Sequence, residues 1–544
     1  MMTISDVATR PFSDQKSGTA GLRKRVAVFQ QPHYLQNYLQ SIFDCVPALR
    51  GATLVIGGDG RFFNRPAIAT GIRMAAANGV SKVVVGQGGL LSTPAASNLI
   101  RIHGAAGGLV FTASHNPAGA DGDFGIKLNL AGGGQAPESL TEKIYERSKT
   151  LDRYRVAADA AVELDRVGAH RVGEMALEVV DPVDDYAALM QKLFDFDRMR
   201  DWLKRGHGLR FDALHAVTGP YGQRLFVQAL GAPLASVQNG NPLEDFGGGH
   251  PDPNLIHARH LLDLALSPQA PDLIAASDGD GDRNMILGRG IFISPGDSLA
   301  MLAAHLHLFP GYPQGLAGVA RSMPTSRAAD RVAAELKVPC FETPTGWKFF
   351  ASLLDAGKIN LCGEESFGTS SSHVREKDGV WAVLAWLNLL AATGKSVKEV
   401  ADAHWRRFGR HYFLRHDYED LPADQAAAVM DGARASLPGL RGSRCGEWTV
   451  SEADDFAYTD PVDGSATSKQ GLRIVFGEDA RIVLRLSGTG TGGATLRLYL
   501  ERYAPPSGAL DLAPAQALKD LIAQTGPLLK IAALTGKTKP DVET

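Results

Sequence analysis

The 544-residue sequence contains few cysteines, and they lie far apart. The four cysteines form no C-x-x-C pair, which argues against a zinc site or a redox pair of the usual spacing. We also expect no disulfide framework, because such frameworks stabilise small secreted domains rather than chains of this length.

The sequence also lacks a strong charge of either sign and lacks long hydrophobic runs. A net charge of -3 gives no electrostatic reason to expect nucleic acid or an anionic membrane as a partner. No run of about 18 apolar residues is present, and the polar first residues lack the apolar centre of a signal peptide. We therefore predict a cytoplasmic protein, a monomer or weak dimer, with no nucleic-acid and no membrane partner.

Glycine is plentiful, with 60 residues, which fits many tight loops between strands and helices. Three segments, beginning at Thr53, Phe211 and Leu316, share one pattern. Each has an apolar run, a Gly/Pro/Ser/Thr loop, an Ala-rich amphipathic stretch and a second apolar run. That order predicts a βαβ unit of roughly 30 residues with parallel strands. One large sheet is the alternative, but the wide spacing of the copies favours separate domains.

The end of the chain has a different pattern, because RIVLRL and ATLRLYLERY alternate apolar and polar residues as half-buried antiparallel strands do. A helix is expected from Ala423 to Ala435. We predict an α/β fold, with three similar α/β domains containing mixed sheets and a smaller C-terminal α+β domain. The predicted domains are residues 1–185, 186–295, 296–411 and 412–544.

The stretch FTASHNP places Ser114 directly after an apolar strand. Asn116 and Pro117 force a turn there, so we expect the hydroxyl to face a ligand. The stretch is not an esterase elbow, which requires G-x-S-x-G. A serine in a turn is by itself usually only a turn former. Lys127, a little downstream, provides a cation that is expected near the hydroxyl.

Three aspartates, Asp278, Asp280 and Asp282, alternate in SDGDGDR after a second apolar run. Their carboxylates share one side of an extended chain, and the intervening glycines let the backbone curl around one ion. Oxygen ligands of this kind suit Mg²⁺. An EF-hand is excluded, because its sixth and twelfth positions would be Arg283 and Arg289 instead of Gly and Glu. A solvated acidic turn is the remaining alternative, which the repulsion among three like charges disfavours.

Three further loops follow predicted strands. Residues 342–348 lie where α/β domains place ligand loops, although a plain Pro/Gly turn is the simpler interpretation. Residues 362–368 combine carboxylates with a hydroxyl, which suits the hydroxyls of a sugar or else a polar loop before a buried helix. Residues 485–493 combine hydroxyls, amides and an arginine, which predicts a phosphate cradle or else a flexible hairpin. Their G-x-G-x-x-G match is not a dinucleotide fingerprint, because a strand pattern follows it.

Together these loops predict phosphoryl transfer on a sugar. The set resembles the alpha-D-phosphohexomutase superfamily and, within it, the larger, glucose-specific phosphoglucomutases. The stretches that carry the resemblance are GTAGLRKRV from Gly18, TASHNP from Thr112, GDFGIKLN from Gly122, SDGDGDRNMILG from Ser277, RSMPTS from Arg321, CGEESFG from Cys362, SSHVREKDGVWAVLAWL from Ser371, RLSGTGTGGATLRLY from Arg485 and the ending GKTKPDVET. The sequence departs from the family pattern at Ala20, which removes a hydroxyl from the first loop, and at Thr491, where serine is common.

The resemblance implies an intramolecular phosphotransferase with its domains arranged around a central cleft. It would interconvert alpha-D-glucose 1-phosphate and D-glucose 6-phosphate through a phosphoserine enzyme. Glucose 1,6-bisphosphate would be both activator and intermediate, and one Mg²⁺ would be bound per chain.

The resemblance also assigns roles to individual residues. Ser114 would be the phosphorylated nucleophile, and its oxygen would complete a Mg²⁺ site formed by Asp278, Asp280 and Asp282. The candidates for proton transfer and charge balance are Arg23, His115, Lys127 and Lys377. The expected substrate-binding residues are Thr19, Arg23, Asp282, Arg283, Thr345, Gly346, Glu364, Ser366, Lys377, Arg485, Ser487, Gly488, Thr489 and Thr491.

Three alternatives to a glucose mutase stay open at this point. The first is a mutase for another hexose phosphate, of mannose or of N-acetylglucosamine. The stretch GEESFG favours glucose, because an acetamido group would need room beside Glu364. The others are a non-catalytic phosphoprotein of the same fold and a plain phosphatase.

Overall fold

The computed structural model describes residues 3–18, 20–488 and 493–544. Its four larger sheets have seven, five, four and six strands and follow one another along the chain. The first three each lie within one predicted domain, and the fourth begins at Arg410, two residues before the predicted start of the last domain. The first three sheets are mixed and are covered by helices, which confirms the predicted fold class. The boundaries of the domains stay predictions.

The first sheet has the strand order β2-β6-β5-β3-β4-β9-β8. The first repeat forms β3, α3 and β4, and the two strands are parallel as predicted. The elements of this part are β1 Ser5–Ala8, β2 Leu22–Arg25, α1 Val26–Phe29, α2 Tyr34–Cys45, β3 Thr53–Gly58, α3 Asn64–Ala77, β4 Lys82–Leu90, α4 Thr93–Ile102, β5 Gly107–Phe111, β6 Asp123–Leu130, α5 Glu138–Ser148, β7 Arg153–Val156, β8 Gly168–Val172 and β9 Met175–Val180.

The second sheet has the order β11-β10-β12-β13-β14, with three parallel strands followed by two antiparallel ones. The helix of the second repeat begins as α8 and continues as a π-helix over Gln223–Ala229. The elements are α6 Asp184–Leu193, α7 Phe196–Lys204, β10 Leu209–Asp212, α8 Thr218–Gly222, β11 Val237–Gln238, α9 Arg259–Ala265, β12 Leu273–Ser277, β13 Asn284–Gly288 and β14 Ile291–Ile293.

The third sheet has the order β16-β15-β17-β18, and the strands of the third repeat, β15 and β16, are parallel. The elements are α10 Pro295–His305, β15 Val319–Ser322, α11 Ala328–Leu336, β16 Cys340–Thr343, α12 Trp347–Asp355, β17 Leu361–Glu364, β18 Gly368–Ser371, α13 Gly379–Thr393 and α14 Val397–Phe408.

The fourth sheet is antiparallel, with the order β22-β25-β26-β27-β19-β28. Helix α15 continues to Leu440, beyond the predicted end at Ala435. The elements are β19 Arg410–Leu421, α15 Ala423–Leu440, β20 Arg444–Cys445, β21 Trp448–Thr449, β22 Glu452–Asp455, β23 Tyr458–Thr459, β24 Ala466–Thr467, β25 Leu472–Phe476, β26 Ala480–Gly488, β27 Ala494–Ala504, α16 Pro514–Ala517, α17 Lys519–Leu529, α18 Ile531–Thr535 and β28 Val542–Glu543.

One hydrophobic core joins the first three sheets, whereas the fourth sheet has a core of its own. Helix α13 lies at the centre of the shared core, and its Trp381 and Trp386 are fully buried. It is apolar on all sides, as expected for an interior helix. In the described part of the chain no single helix is long and apolar enough to cross a membrane. Helices α13 and α14 satisfy that test only as a pair, bent by 83°.

Candidate active site

Ser114 lies in a tight turn just beyond the end of β5. Its φ of 53° is unusual for a residue other than glycine, and two hydrogen bonds hold it there. The Ser114 N–H donates to Thr112 Oγ1 at 2.8 Å, and the Ser114 carbonyl accepts from Arg61 Nη2 at 2.7 Å. Against expectation Ser114 is almost wholly buried, and its Oγ donates to Asp278 Oδ2 at 2.8 Å.

The three aspartates converge as predicted, although they do so in a turn rather than in an extended strand. One carboxylate oxygen from each of Asp278, Asp280 and Asp282 lies within 4.8 Å of the others. Glycine is required beside them, because a Cβ on Gly279 would lie 2.3 Å from the carbonyl oxygen of Ser114. The serine loop and the aspartate loop therefore approach each other directly.

The donor set of this cluster fits a divalent cation. All three carboxylates are buried, and Asp280 Oδ1 has no hydrogen-bond partner among the residues described. Burial, followed by the charges of Asp282 and Asp280, holds the pKa of Asp278 well above its ordinary value. A cation would relieve this repulsion and would satisfy the free oxygen.

Two lysines border the cluster. Lys127 Nζ donates to Asp280 Oδ2 at 2.7 Å and to Asp282 Oδ2 at 3.2 Å, while Lys377 Nζ lies 3.1 Å from Asp282 Oδ1. Burial alone would lower the pKa of Lys127, but Asp280 and Asp282 raise it above its ordinary value. Lys127 is therefore a fixed ammonium, whereas Lys377 also lines the open cleft.

The other predicted polar residues surround the same site. Burial, together with Arg283 and Arg23, holds the pKa of His115 well below its usual value, so its ring is neutral near pH 7. Arg23 Nη1 donates to Asn116 Oδ1 at 3.4 Å. Arg283 Nη1 donates to Asp252 Oδ1 at 3.2 Å, and Arg283 Nε lies 3.9 Å from Asp278 Oδ2.

A cleft of about 460 Å³ opens beside these groups and is lined by residues from all four parts of the chain. Its described lining has seven lysine or arginine side chains against three carboxylates, although the whole chain is slightly acidic. These residues are Lys16, Arg23, Lys24, Arg283, Lys377, Arg485 and Arg497 on the basic side and Asp14, Glu364 and Glu365 on the acidic side. Such a surplus of positive charge favours an anionic ligand.

The predicted sugar loops meet in this cleft. Gly346, at a φ of 129°, donates its backbone N–H to Glu364 Oε1 at 3.0 Å, so the loop that follows β16 is joined to the end of β17. Burial raises the pKa of the Glu364 carboxyl. Thr345, Glu364 and Ser366 all line the cleft, and Thr345 Oγ1 is buried without a described hydrogen-bond partner.

The predicted phosphate cradle lies in the same cleft. Arg485 and Ser487 line it, Arg485 Nε donates to Gln470 O at 3.2 Å, and Gly488 ends β26. The predicted contacts Thr19, Thr489 and Thr491 lie outside the described residues.

Sequence reasoning missed several residues of the site. Arg497, the cross-strand partner of Arg485, adds a second arginine to the cleft, and such a pair favours an anion between them. Thr93 Oγ1 donates to Asp280 Oδ2 at 2.7 Å, and Asp59 holds Arg61 against the serine turn. The alternation of apolar and polar residues in ATLRLYL could have identified Arg497, because it places that residue on the polar face of the strand. No local signal pointed to the others.

Comparison with known proteins identifies the family. The model of the phosphoglucomutase/phosphomannomutase alpha/beta/alpha domain I matches residues 14–155, and that of domain III matches residues 295–408. The model of the phosphoglucomutase-1 C-terminal domain matches residues 410–541. A phosphoglucomutase of Rhizobium radiobacter is 54% identical over 99% of this chain and 100% of its own. The chain belongs to the phosphoglucomutase family.

Two further members of the phosphoglucomutase family show how far the likeness extends. The chloroplastic phosphoglucomutase 1 of Marchantia polymorpha is 50% identical over 99% of this chain and 85% of its own. The open form of the Paramecium exocytosis-sensitive phosphoprotein pp63/parafusin, a phosphoglucomutase, superposes with a TM-score of 0.92 at 45% identity, covering 99% of each chain. The likeness to the phosphoglucomutase family therefore spans the whole fold, and the acidic cluster lies within it.

Proposed function

We propose that this chain is a phosphoglucomutase that interconverts alpha-D-glucose 1-phosphate and D-glucose 6-phosphate. The observation that carries the proposal is the 2.8 Å hydrogen bond between Ser114 Oγ and Asp278 Oδ2. A hydroxyl held against an acidic cluster, at the edge of a cationic cleft, suits phosphoryl transfer.

The cleft has two ends, and a sugar phosphate would span them. We assign the phosphate that is not transferred to Arg485, Ser487 and Gly488, with the predicted partners Thr489 and Thr491 and the additional Arg497. Glu364 and Ser366 would bind sugar hydroxyls, and Thr345 and Gly346 would line the sugar site. At the other end, Arg23, Arg283 and Lys377 would neutralise the transferred phosphoryl group.

Mg²⁺ is the cation that we propose for the acidic cluster, because its ligands would be carboxylate and hydroxyl oxygens. Asp278, Asp280 and Asp282 would hold it together with an oxygen of phosphorylated Ser114. When bound, Mg²⁺ supplies Lewis-acid stabilisation of charge on the phosphoryl group.

The reaction proceeds in two transfers. In the first, the bond from phosphorus to Ser114 Oγ breaks while a bond to O6 of glucose 1-phosphate forms, and the O6 proton passes to a base. The resulting glucose 1,6-bisphosphate reorients in the cleft. In the second transfer the bond from phosphorus to O1 breaks while a bond to Ser114 Oγ forms, a proton passes from Ser114 Oγ through the base to O1, and glucose 6-phosphate leaves. The low exposure of Ser114, 1%, would protect the phosphoserine from hydrolysis.

The proposed proton carriers are His115 and Lys377, since both line the cleft. Lys127 is assigned to charge balance, because two carboxylates hold its ammonium. Single-turnover rates of His115→Gln and Lys377→Met against pH distinguish the two candidates. The general base is the residue whose replacement abolishes the fall of the single-turnover rate at low pH.

Replacing the nucleophile tests the function directly. We expect Ser114→Ala to abolish conversion of glucose 1-phosphate to glucose 6-phosphate, because no group remains to carry the phosphoryl group. Ser507→Ala, which changes an exposed serine, is the matched control and should retain full activity. Full activity in Ser114→Ala would refute the catalytic assignment.

The same assay separates the alternatives. Relative kcat/KM values for the 1-phosphates of glucose, mannose and N-acetylglucosamine decide the sugar, and we expect glucose to be preferred. Release of inorganic phosphate faster than isomerisation would indicate a phosphatase. A wild-type protein without turnover of any of these sugars would indicate a non-catalytic phosphoprotein.

Several further properties stay predictions. We expect a cytoplasmic location, no nucleic-acid or membrane partner and a monomer or weak dimer, on the basis of net charge and composition. Limited proteolysis tests the proposed domain boundaries near residues 185, 295 and 411. Each of these residues lies within a helix or strand, so we expect cleavage in the nearest exposed turn rather than at the boundary itself.

A further inference from the structure

Glu342 lies at the centre of a charged cluster between the third and fourth parts of the chain. It belongs to β16 and lies three residues before Thr345 of the sugar site. Glu342 Oε1 accepts from Arg321 Nη1 at 2.8 Å and from Arg481 Nη1 at 3.2 Å, and its Oε2 accepts from Arg473 Nη1 at 2.6 Å. One carboxylate therefore binds three arginines, two of which come from the fourth sheet.

Arg481 connects this cluster to the phosphate cradle. It lies on β26 four residues before Arg485, and in a strand both residues face the same side. Arg481 Nη1 donates to Met323 O at 2.7 Å, and its Nη2 donates to Thr325 O at 2.8 Å. These two carbonyls belong to the loop after β15. The side chain of Arg481 therefore binds the third part of the chain twice, at the backbone of that loop and at the side chain of Glu342.

The interface around Glu342 contains these ion pairs beside an apolar cluster in which Met323 packs with Phe456, Val483 and Tyr499. A cavity of about 400 Å³ opens beside the cluster, and its lining includes Glu342 and all three arginines. Burial would raise the pKa of the Glu342 carboxyl, but Arg321, Arg481 and Arg473 hold it below its ordinary value. Ion pairs of this kind add little to stability compared with apolar groups in their place, but their fixed geometry favours one arrangement of the groups they join.

The strands on both sides of this cluster lead into the substrate site. Beyond Glu342, strand β16 ends at Thr343, and the loop that carries Thr345 and Gly346, here called the sugar loop, begins. Beyond Arg481, strand β26 continues to Arg485 and Ser487 of the phosphate cradle. A shift between Glu342 and Arg481 therefore changes the distance from the sugar loop to the cradle. A ligand that contacts both ends depends on that distance, whereas a ligand that contacts one end does not.

We propose that Glu342 and Arg481 are positioning residues that set the spacing between the sugar loop and the phosphate cradle. The proposal rests on the proposed function, since it concerns binding of a hexose phosphate across the same cleft. Neither residue contacts the substrate, and both act through the loops that follow them.

The test compares a ligand that spans the cleft with one that does not. We expect Glu342→Gln to lower kcat/KM for glucose 1-phosphate by about 10- to 100-fold, the usual cost of a misplacement near 1 Å. The inhibition constant of inorganic phosphate, which is too small to contact both ends of the cleft at once, should stay within about twofold of the wild-type value. The variant is expected to fold, because Arg321, Arg473 and Arg481 keep Asp330, Asp454 and Glu501 as partners.

Two other variants complete the experiment. Glu342→Asp keeps the charge but shortens the side chain, so it should show the same pattern with a smaller loss. Glu335→Gln breaks the exposed ion pair with Arg407 in the same part of the chain and should leave both constants unchanged. Equal weakening of phosphate and glucose 1-phosphate by Glu342→Gln would refute the proposal, and so would no change in either.

Failure of this proposal is distinguishable from failure of the proposed function. Turnover of glucose 1-phosphate by the wild-type protein tests the function. The ratio between variant and wild type, measured in the same assay, tests the positioning role. Should Glu342→Gln not fold, the comparison of Glu342→Asp with Glu335→Gln decides the matter alone.

Discussion

The buried ion pair between Asp59 and Arg61 supports the serine turn and gives the sharpest prediction of stability. Both side chains are 0% exposed, and Arg61 Nε donates to Asp59 Oδ2 at 2.9 Å. Asp59 also accepts from Thr112 Oγ1 at 2.5 Å, and Arg61 donates to the carbonyl of Ser114. Asp59→Asn would leave the Arg61 guanidinium buried without its counterion.

The expected magnitude follows from this burial. Removing one partner of a fully buried pair costs about 3–5 kcal/mol, because the other charge stays desolvated. Movement of Arg61 would also release the Ser114 carbonyl, so we expect kcat to fall by about 10- to 100-fold. KM should change little, since neither residue lines the cleft.

Urea unfolding and steady-state kinetics, measured on the same samples, check the prediction. The matched control is Asp165→Asn, which breaks a pair with Arg65 in the same part of the chain. That pair is 64% and 49% exposed, so its loss should not measurably change stability. If Asp59→Asn is no less stable than Asp165→Asn, the buried pair does not support the serine turn.

Three further predictions concern the same site. Gly279→Ala should lower kcat by at least about 100-fold, because its Cβ would lie 2.3 Å from Ser114 O, whereas Gly432→Ala, which meets no atom within 4 Å, should leave kcat unchanged. Removing the metal with a chelator should abolish activity. In thermal unfolding, Mg²⁺ at about 100 times its Kd should stabilise the wild type by about 2.7 kcal/mol and should stabilise Asp280→Asn far less. Glu376 is a buried neighbour of Lys127 and accepts hydrogen bonds from Asn129 and Gln135. Burial raises its pKa from 4.5 to about 7, so its contribution to stability is complete below about pH 4.5 and is lost as the pH rises through about 7. The free energy of unfolding of the metal-free protein should therefore fall more steeply between about pH 4.5 and 7 in the wild type than in Glu376→Gln. Equal slopes in the two proteins would contradict the raised pKa.

The acidic cluster and the last two long strands could be predicted because their signals are local. Asp278, Asp280 and Asp282 alternate with glycines, so one short stretch already contains three possible ligands of one ion. The alternation of apolar and polar residues in β26 and β27 likewise predicts antiparallel strands, which the register of Arg485 opposite Arg497 confirms.

The partners of these groups could not be found in the same way, because they come from distant parts of the chain. Thr93 binds Asp280 across 187 positions, and Glu342 binds Arg481 across 139. Neither spacing has a meaning before the sheets pack together. The burial of Ser114 has the same origin, since its hydrogen bond to Asp278 joins two separate sheets.

The central claim is that Ser114 carries the transferred phosphoryl group. Intact-mass measurement before and after incubation with glucose 1,6-bisphosphate, followed by peptide mapping and a chase with glucose 6-phosphate, tests it most directly. We predict a gain of one phosphoryl group on Ser114 that the chase removes while the bisphosphate is formed again. A protein that interconverts the two glucose phosphates with no modification of Ser114, or with the phosphoryl group on another residue, would contradict the account.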